Sequence, residues 1–346
     1  MPNTDIPLVH SEEVKLFATM LNELDGDIHS LLETARMPQD ILSSQSSNAF
    51  VPESALKSVF QTLGERASPE KFALLTWTLC HDIYVPRFAN QITQTHSLKA
   101  ALEEVSQLLK QISDNVSLSV VSRGGKWWLV REKQDAKREW FRYAEMFSAM
   151  FMNELLKKLV GSQWRLAEVG IQDIEAEPFN LLPGMKSAQF FTGRPVTAIS
   201  IPNEWINQPI AFTPSQTAPN TSFRGENDKF SDALARALTP YLSMGKISIQ
   251  FAGELIDMNA RTIQRRLASE NTTYREVIEG LVLKQTLELL ADRDLSITHI
   301  ALKTGYSDSA HFTRAFKRMM NLTPKAYRQS LLCPSVKWNV THKASE

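Results

Sequence analysis

The feature that most restricts what this chain can fold into is an internal repeat near its C-terminus. Residues 249–267 and 297–318 share one pattern of apolar, small and turn-forming positions. Gly253 and Ala301 lie 48 positions apart, and so do Asp257 and Gly305. The pattern is that of two short helices meeting at a sharp turn, made twice. Helices that cross tightly need a small residue at the contact, which Gly253 and Ala301 provide. The turn needs a left-handed residue. Gly305 adopts that conformation without strain, and Asp257 tolerates it better than most side chains. Asn259 and Ser307 stand where they can cap the second helix of each pair. Ile263 and Phe312 then point back into the core.

Opposite those apolar positions lies a polar face. Arg261, Gln264 and Arg265 share it in the first copy, at i, i+3 and i+4, and His311, Arg314 and Arg318 share it in the second. One such face alone is ordinarily a solvated surface. Two in tandem predict base contact, because Arg and Gln fit the edges of guanine and adenine in the major groove. Lys303, Lys317 and Arg318 suit phosphate contacts, since half or more of the hydrogen bonds in such interfaces go to the backbone. Residues 272–291 read as one helix between the copies. About twenty helical residues span roughly 30 Å, close to the ~34 Å turn of B-DNA. Such a strut can hold two recognition helices in successive grooves.

Charge is compatible with this reading without proving it. The 346 residues carry 38 basic and 38 acidic side chains, which cancel. From Glu226 onward there are 17 Lys/Arg against 13 Asp/Glu, leaving 21 against 25 before it. With 43% hydrophobic and 22% charged residues, the chain is long enough for two globular domains. No apolar run has the length of a membrane span, and the first ten residues hold no secretory core, so the cytoplasm is the expected compartment. Cys80 and Cys333 are the two cysteines; they make neither a disulfide framework nor a thiolate zinc site. No metal or cofactor is expected. Cys80-His81-Asp82 invites a nucleophile, but neighbours on a helix diverge by about 100° and cannot form a triad among themselves.

The expected domain plan is 1–208, a linker at 209–227, a DNA-binding domain at 228–330 and a tail at 331–346. Pro209, Pro214 and Pro219 among polar residues mark the linker. Before it the pattern is mixed, and an α+β domain is predicted, followed by an all-α C-terminal domain with two helix-turn-helix units joined by a linker helix. Helices are expected at 16–24, 28–35, 52–63, 69–79 and 97–112, the third and fourth opened by proline. Two alternating runs about Gly124-Gly125 predict a hairpin. On it Trp127 and Trp128 point to opposite faces, one to the core and the other to a surface or contact. Trp140, Ala144, Phe147, Phe151, Leu155 and Leu159 recur at helical spacing, and Phe141 and Met152 occupy another side. That helix belongs to a core or to a dimer contact. Short strands are expected at 166–171 and 196–201.

Residues 230–328 resemble the DNA-binding domain of the AraC/XylS family of regulators. The likeness is carried by Ile263-Gln-Arg-Arg-Leu267, Ile300-Ala301, Gly305-Tyr-Ser-Asp308, His311-Phe-Thr-Arg-Ala-Phe-Lys-Arg318 and Pro324-Lys-Ala-Tyr-Arg328. It implies that Arg261, Gln264 and Arg265 in the first unit, and Ala310, His311 and Arg314 in the second, are the base-reading positions. Three positions depart from the family pattern: Ala310 offers only a methyl group, Asp257 stands where Gly is usual, and Val282 where Arg is usual. Residues 15–210 resemble, more diffusely, the arabinose-binding-like N-terminal domain of some of these regulators, through Ala35-Arg-Met-Pro38, Phe72-Ala-Leu-Leu75, Phe190-Phe-Thr-Gly-Arg-Pro-Val196 and residues 203–209. That implies effector sensing or dimerisation, without making arabinose the ligand. The expected partners are double-stranded DNA, a small-molecule effector, RNA polymerase and a second copy of the chain. Two alternatives stand beside this: a regulator controlled by a protein partner or by abundance, and an enzyme carrying a DNA-binding domain, such as a repair alkyl acceptor. The latter requires a reactive cysteine cluster, which Cys80 and Cys333 do not supply.

Overall fold

A computed structural model describes residues 6–24, 26–38, 41–42, 50–113, 117–133, 138–213, 229–245 and 247–331. The chain separates into two compact units, residues 7–226 and residues 227–346 together with 1–6. Most of the expected linker, from 214 on, and the expected tail beyond 331, Cys333 included, lie outside the described residues.

The N-terminal unit is α+β, as the mixed pattern predicted. In chain order it runs β1 (Leu8–His10), α1 (Ser11–Thr19), α2 (Ile28–Thr34), β2 (Phe50–Pro52), α3 (Glu53–Arg66), α4 (Pro69–Thr78), α5 (Val85–Ala89), α6 (Leu98–Ile112), β3 (Ser117–Arg123), β4 (Lys126–Glu132), α7 (Glu139–Val160), β5 (Glu168–Gly170), α8 (Glu177–Asn180), β6 (Gln189–Phe191) and β7 (Thr197–Ile201). Ser68 and Ser97 cap α4 and α6 by accepting from amides in the first turn. Gly124 and Gly125 both take positive φ, 64° and 76°, which matches the twist of a two-residue hairpin turn.

Strands β3, β4, β7, β5 and β6 form one sheet in that order. Pairing is antiparallel except between β5 and β6. β1 and β2 make a separate two-stranded ribbon that the sequence reading did not anticipate. At three residues each, they are too short for alternation to be visible.

α7 is the centre of this unit. It packs against α3, α4, α5 and β7, and apolar side chains all round it are buried, including Phe141, Met150, Met152 and Leu156. A helix apolar on every side belongs inside, so its two apolar faces are both spent within its own unit. Its one fully enclosed charge, Glu145, accepts from the Thr197 hydroxyl at 2.6 Å, the Gln172 amide at 2.7 Å and the Asp173 amide at 3.0 Å. These bonds tie α7 to β7 and to the segment after β5.

The C-terminal unit is all helix among its described residues: α9 (Phe230–Leu238), α10 (Ile249–Leu255), α11 (Ala260–Ser269), α12 (Tyr274–Ala291), α13 (Ile297–Lys303), α14 (Ser309–Met320) and α15 (Pro324–Ser330). The strut α12 starts at Tyr274, two residues later than expected, because Thr273 and Glu276 form a reciprocal capping box. Its 18 residues give a length of roughly 27 Å. Gly280 lies in the middle of this helix, exposed, and a Cβ there would meet nothing within 4 Å. Gly280→Ala should therefore stabilise the C-terminal unit by about 0.5–1 kcal/mol, read as a rise in the midpoint of its thermal unfolding. A fall would mean that the strut needs the glycine.

Candidate nucleic-acid interface

Each half of the repeat folds as two helices about a tight turn. In the first, α10 leads through Ile256, Asp257 and Met258 to α11. Gly253 sits against that turn: a Cβ on it would lie 2.3 Å from the Met258 carbonyl oxygen, so no larger residue fits without moving backbone. Asp257 is left-handed, with φ 55°. Asn259 caps α11, its Oδ1 accepting from the Thr262 amide at 2.8 Å.

In the second, α13 leads to α14 through Gly305, with φ 83°. Here glycine has a second reason. A Cβ would stand 2.8 Å from the Leu242 carbonyl oxygen and 3.2 Å from the Gly245 Cα, so the turn lies directly on the segment after α9. Ala301, the counterpart of Gly253, is fully buried.

The cap of α14 differs from expectation. Ser307 does not cap the helix; Asp308 does, accepting from the His311 amide at 2.7 Å. Ser307 lies outside the helix, exposed, with its hydroxyl 3.4 Å from the Asp308 carboxylate. The spacing explains the shift. Up to the turn the copies are 48 residues apart, but the caps Asn259 and Asp308, and the core pairs Ile263–Leu267 and Phe312–Phe316, are offset by 49. The second turn holds one extra residue.

Counted from the caps, Arg261 corresponds to Ala310 and Arg265 to Arg314, while Gln264 faces the position of Thr313 and His311 that of Thr262. Arg261, Gln264, Arg265, Ala310, His311 and Arg314 are all exposed, opposite buried Ile263, Leu267, Phe312 and Phe316. Lys317 and Arg318 are exposed in the last turn of α14, and Lys303 is half-buried at the end of α13. Arg318 also lies 3.8 Å from Glu279 of the strut, an exposed pair of little energetic weight. The His311 ring meets Tyr306 edge-on at 5.5 Å. Val282 is half-buried on α12.

Three smaller bonds hold the faces in place. Glu270, just past α11, accepts from the Phe230 and Ser231 amides at 2.7 and 3.0 Å, serving the otherwise uncapped start of α9. Tyr274 donates to the Ile247 carbonyl at 3.1 Å, joining the strut to the loop before α10. Arg328 of α15 donates to the Leu290 carbonyl at 3.2 Å, closing the far end of the strut.

The N-terminal unit holds a second candidate site that sequence reasoning missed. A cavity of about 70 Å³ is walled by Phe17, Phe60, Tyr84, Phe147, Phe151 and Trp140. Arg131 and Lys133 reach it from the inward face of β4 and its extension. The signal was present in the sequence: Trp127, Leu129, Arg131 and Lys133 alternate, so two charges continue an apolar face. Lys133 pairs with buried Glu53 at 2.7 Å. Glu13 pairs with Arg87 at 2.7 Å, and burial pushes its carboxyl up against the pull of that arginine. Burial pulls Arg131 down to about 10, so it stays charged at neutral pH.

Other residues singled out from the sequence play structural parts. Cys80 is fully buried and burial pushes its thiol well up, the opposite of an activated nucleophile. His81 bonds Glu154 at 2.8 Å and stacks on Trp77. Trp127 packs on the core with Lys99 over its ring, while Trp128 donates to the Arg123 carbonyl. Among the described residues no group of His, Cys, Asp or Glu is placed to hold a metal ion, and no helix is long and apolar enough to cross a membrane.

Two small-residue helix crossings, two capped helices with outward polar faces and a helical strut between them define a tandem helix-turn-helix protein. Residues 254–330 match the family described as a helix-turn-helix domain. The chain is 36% identical over 95 residues to the HTH-type transcriptional regulator VirS of Mycobacterium tuberculosis, covering 28% of this chain and 27% of VirS. It is 25% identical over 172 residues to the HTH-type transcriptional activator RhaS of Escherichia fergusonii, covering 49% of this chain and 58% of RhaS. The chain therefore spans between about a quarter and three fifths of these relatives. The crystal structure of the transcriptional regulator CdpR from Pseudomonas aeruginosa overlays with a TM-score of 0.36 at 18% identity, over 87% of this chain and 96% of that one. Through its C-terminal region the chain is thus similar to the helix-turn-helix domains of these transcriptional regulators.

Two outcomes follow from the turns. Asp257→Gly should relieve a left-handed side chain and stabilise the C-terminal unit by about 1 kcal/mol, seen as a higher unfolding midpoint; an unchanged or lower midpoint would show that the aspartate is not strained. The hydrogen bond from the His311 amide holds the Asp308 carboxyl below its usual value. Its contribution is present above the unfolded value, about 3.9, and is lost as pH falls through the lower folded one. Asp308→Asn should therefore lessen the acid sensitivity of this unit's unfolding, Glu270 and Glu276 keeping their own lowered carboxyls, and a parallel pH profile for both proteins would contradict the assignment.

Proposed function

We propose that the protein is a sequence-specific DNA-binding transcription regulator whose N-terminal unit senses a small-molecule effector. The observation that carries the first part is the pair of exposed faces, Arg261/Gln264/Arg265 and Ala310/His311/Arg314, each on a capped helix whose opposite side is core. Side chains held this way can enter a major groove without rearrangement, and Arg and Gln supply bidentate contacts to guanine and adenine. Ala310 suits a thymine methyl. Lys303, Lys317 and Arg318 lie where phosphate contacts fix register. The strut length of roughly 27 Å supports insertion into successive grooves on one side of the duplex.

The cavity around Arg131 supports the sensing role, because a concave, mostly apolar space with a few converging polar groups is the usual form of a ligand site. On this reading the chain works without catalysis in the cytoplasm, with RNA polymerase and a second copy of itself as partners. The arabinose-binding-like character of residues 15–210 belongs to the same proposal.

The test is selection of genomic fragments by the purified chain at two salt concentrations, followed by sequencing of the retained DNA. A shared two-part site, its halves about one helical turn apart, is the expected result. Retention that vanishes with salt whatever the sequence would leave only phosphate contact. On the selected site, Arg265→Ala and Arg314→Ala should each cost about 1–3 kcal/mol and relax preference at one base pair. Lys317→Ala should weaken all sequences alike and lower the salt slope by about one. Equal weakening of every sequence by Arg265→Ala would remove it from base reading.

A further inference from the structure

The lining of the cavity in the N-terminal unit holds more cations than carboxylates. Lys57, Arg131 and Lys133 line it, against Glu13 and Glu53. Glu53 is held by Lys133 at 2.7 Å and Lys57 at 3.6 Å, and Glu13 by Arg87 from outside the lining, at 2.7 Å. Glu145, whose charge acts on Arg131 more strongly than that of Glu53, has its oxygens occupied by Thr197, Gln172 and Asp173, so it offsets the charge of Arg131 from a distance and takes no hydrogen bond from it. Arg131 is left over. It is 9% exposed, and its buried Nη1 has no hydrogen-bond partner among the described residues.

A buried guanidinium with an idle N–H is costly, and Arg131 is held where it cannot withdraw. It lies on β4, paired with Thr197 of β7 in mid-sheet. The rest of the cavity is apolar. Phe147 sits at its centre, 4.6 Å from Phe17, 5.2 Å from Tyr84 and 5.9 Å from Phe60, with Phe151 stacked behind it at 6.5 Å. At about 70 Å³ the space has room for roughly five or six water-sized groups, at 10–15 Å³ each. A planar carboxylate matches the fork of an arginine, and rings of this kind favour a compact hydrocarbon body.

We infer that this cavity binds a small monocarboxylate, its carboxylate on the Arg131 guanidinium and its apolar body among Phe17, Phe60, Phe147 and Phe151. The inference rests on the reading of the N-terminal unit as the sensor and names the chemistry of what it senses. A cation would meet the Arg131 guanidinium unfavourably. Inorganic phosphate would leave the aromatic walls bare.

The experiment titrates the intact chain with propionate, isobutyrate, the amide of each and inorganic phosphate. It follows calorimetric heat and thermal unfolding, with retention of genomic DNA as a separate readout. Both carboxylates should bind at least about tenfold more tightly than their amides, phosphate should not bind, and DNA retention should change on saturation. Arg131→Gln should abolish the preference for the acid over the amide. Ala144→Leu, which narrows the cavity without touching its charges, should abolish binding altogether and serves if the arginine variant does not fold. Amides that bind as well as the acids would overturn the carboxylate assignment while leaving a sensing cavity. Carboxylates that bind without any change in DNA retention would keep the site and overturn the sensing role. No heat and no shift from any compound would overturn the carboxylate site, and this cavity as the sensor with it.

Discussion

Close approach of backbone leaves no room for a side chain at two points of the C-terminal unit, once between α10 and its own turn and once between the second turn and the segment after α9. At Gly253 the missing group would have struck the Met258 carbonyl. At Gly305 it would have struck the Leu242 carbonyl. With the turns closed, Asn259 and Asp308 reach the first free amides of α11 and α14. Ile263 and Leu267, and Phe312 and Phe316, are then drawn into the core. The outward direction of Arg265 and Arg314 is a consequence of this inward one, since a helix that buries one stripe must present the other. The two outward polar faces are therefore set by packing on the opposite side of their helices.

The N-terminal unit is organised about an opposite problem. Its central helix, α7, has buried apolar residues on every side and carries two buried carboxylates, Glu145, which three donors satisfy, and Glu154, which His81 meets. Nearby, the inward face of β4 ends in two cations where apolar residues would have been stable. One is ion-paired with Glu53, and the other keeps an Nη1 with no hydrogen-bond partner among the described residues. Leaving a buried charge with an idle donor costs stability, and such departures from good packing are concentrated at functional sites. A site of this kind lies inside a well-packed unit, so occupancy can alter how α1, α3 and α7 pack around it.

The helical repeat, the strut and the apolar faces were legible because each is a local periodicity backed by a steric or capping rule. The exposed Arg and Gln positions followed from the same period. What escaped has identifiable causes. The cap of α14 lay one residue beyond expectation, because a constant offset of 48 conceals an extra residue in the second turn that only the buried Phe312 reveals. Ser307 and Asp308 are both capping residues by type, and the choice between them depends on where Phe312 must sit. The ribbon of β1 and β2 was missed because three-residue strands hold too few positions to show alternation. β6 escaped for the same reason. Arg131 and Lys133 are visible as charges on an apolar alternation, but which face of β4 is buried depends on distant elements, β7 and the helices that wall the cavity.

By itself the sequence determined the helical repeat, its small and left-handed positions, and the polar faces opposite its core. These are matters of spacing along one chain, and a period of 3.6 or of two is written in the order of residues. Tertiary structure alone decided the rest. It set Glu145 against Thr197, 52 residues away, and Lys133 against Glu53, 80 residues away. It also left Arg131 facing aromatic rings drawn from α1, α3 and α7. Charge balance in a cavity depends on which distant groups arrive there, and no local pattern records how many of them bring a partner.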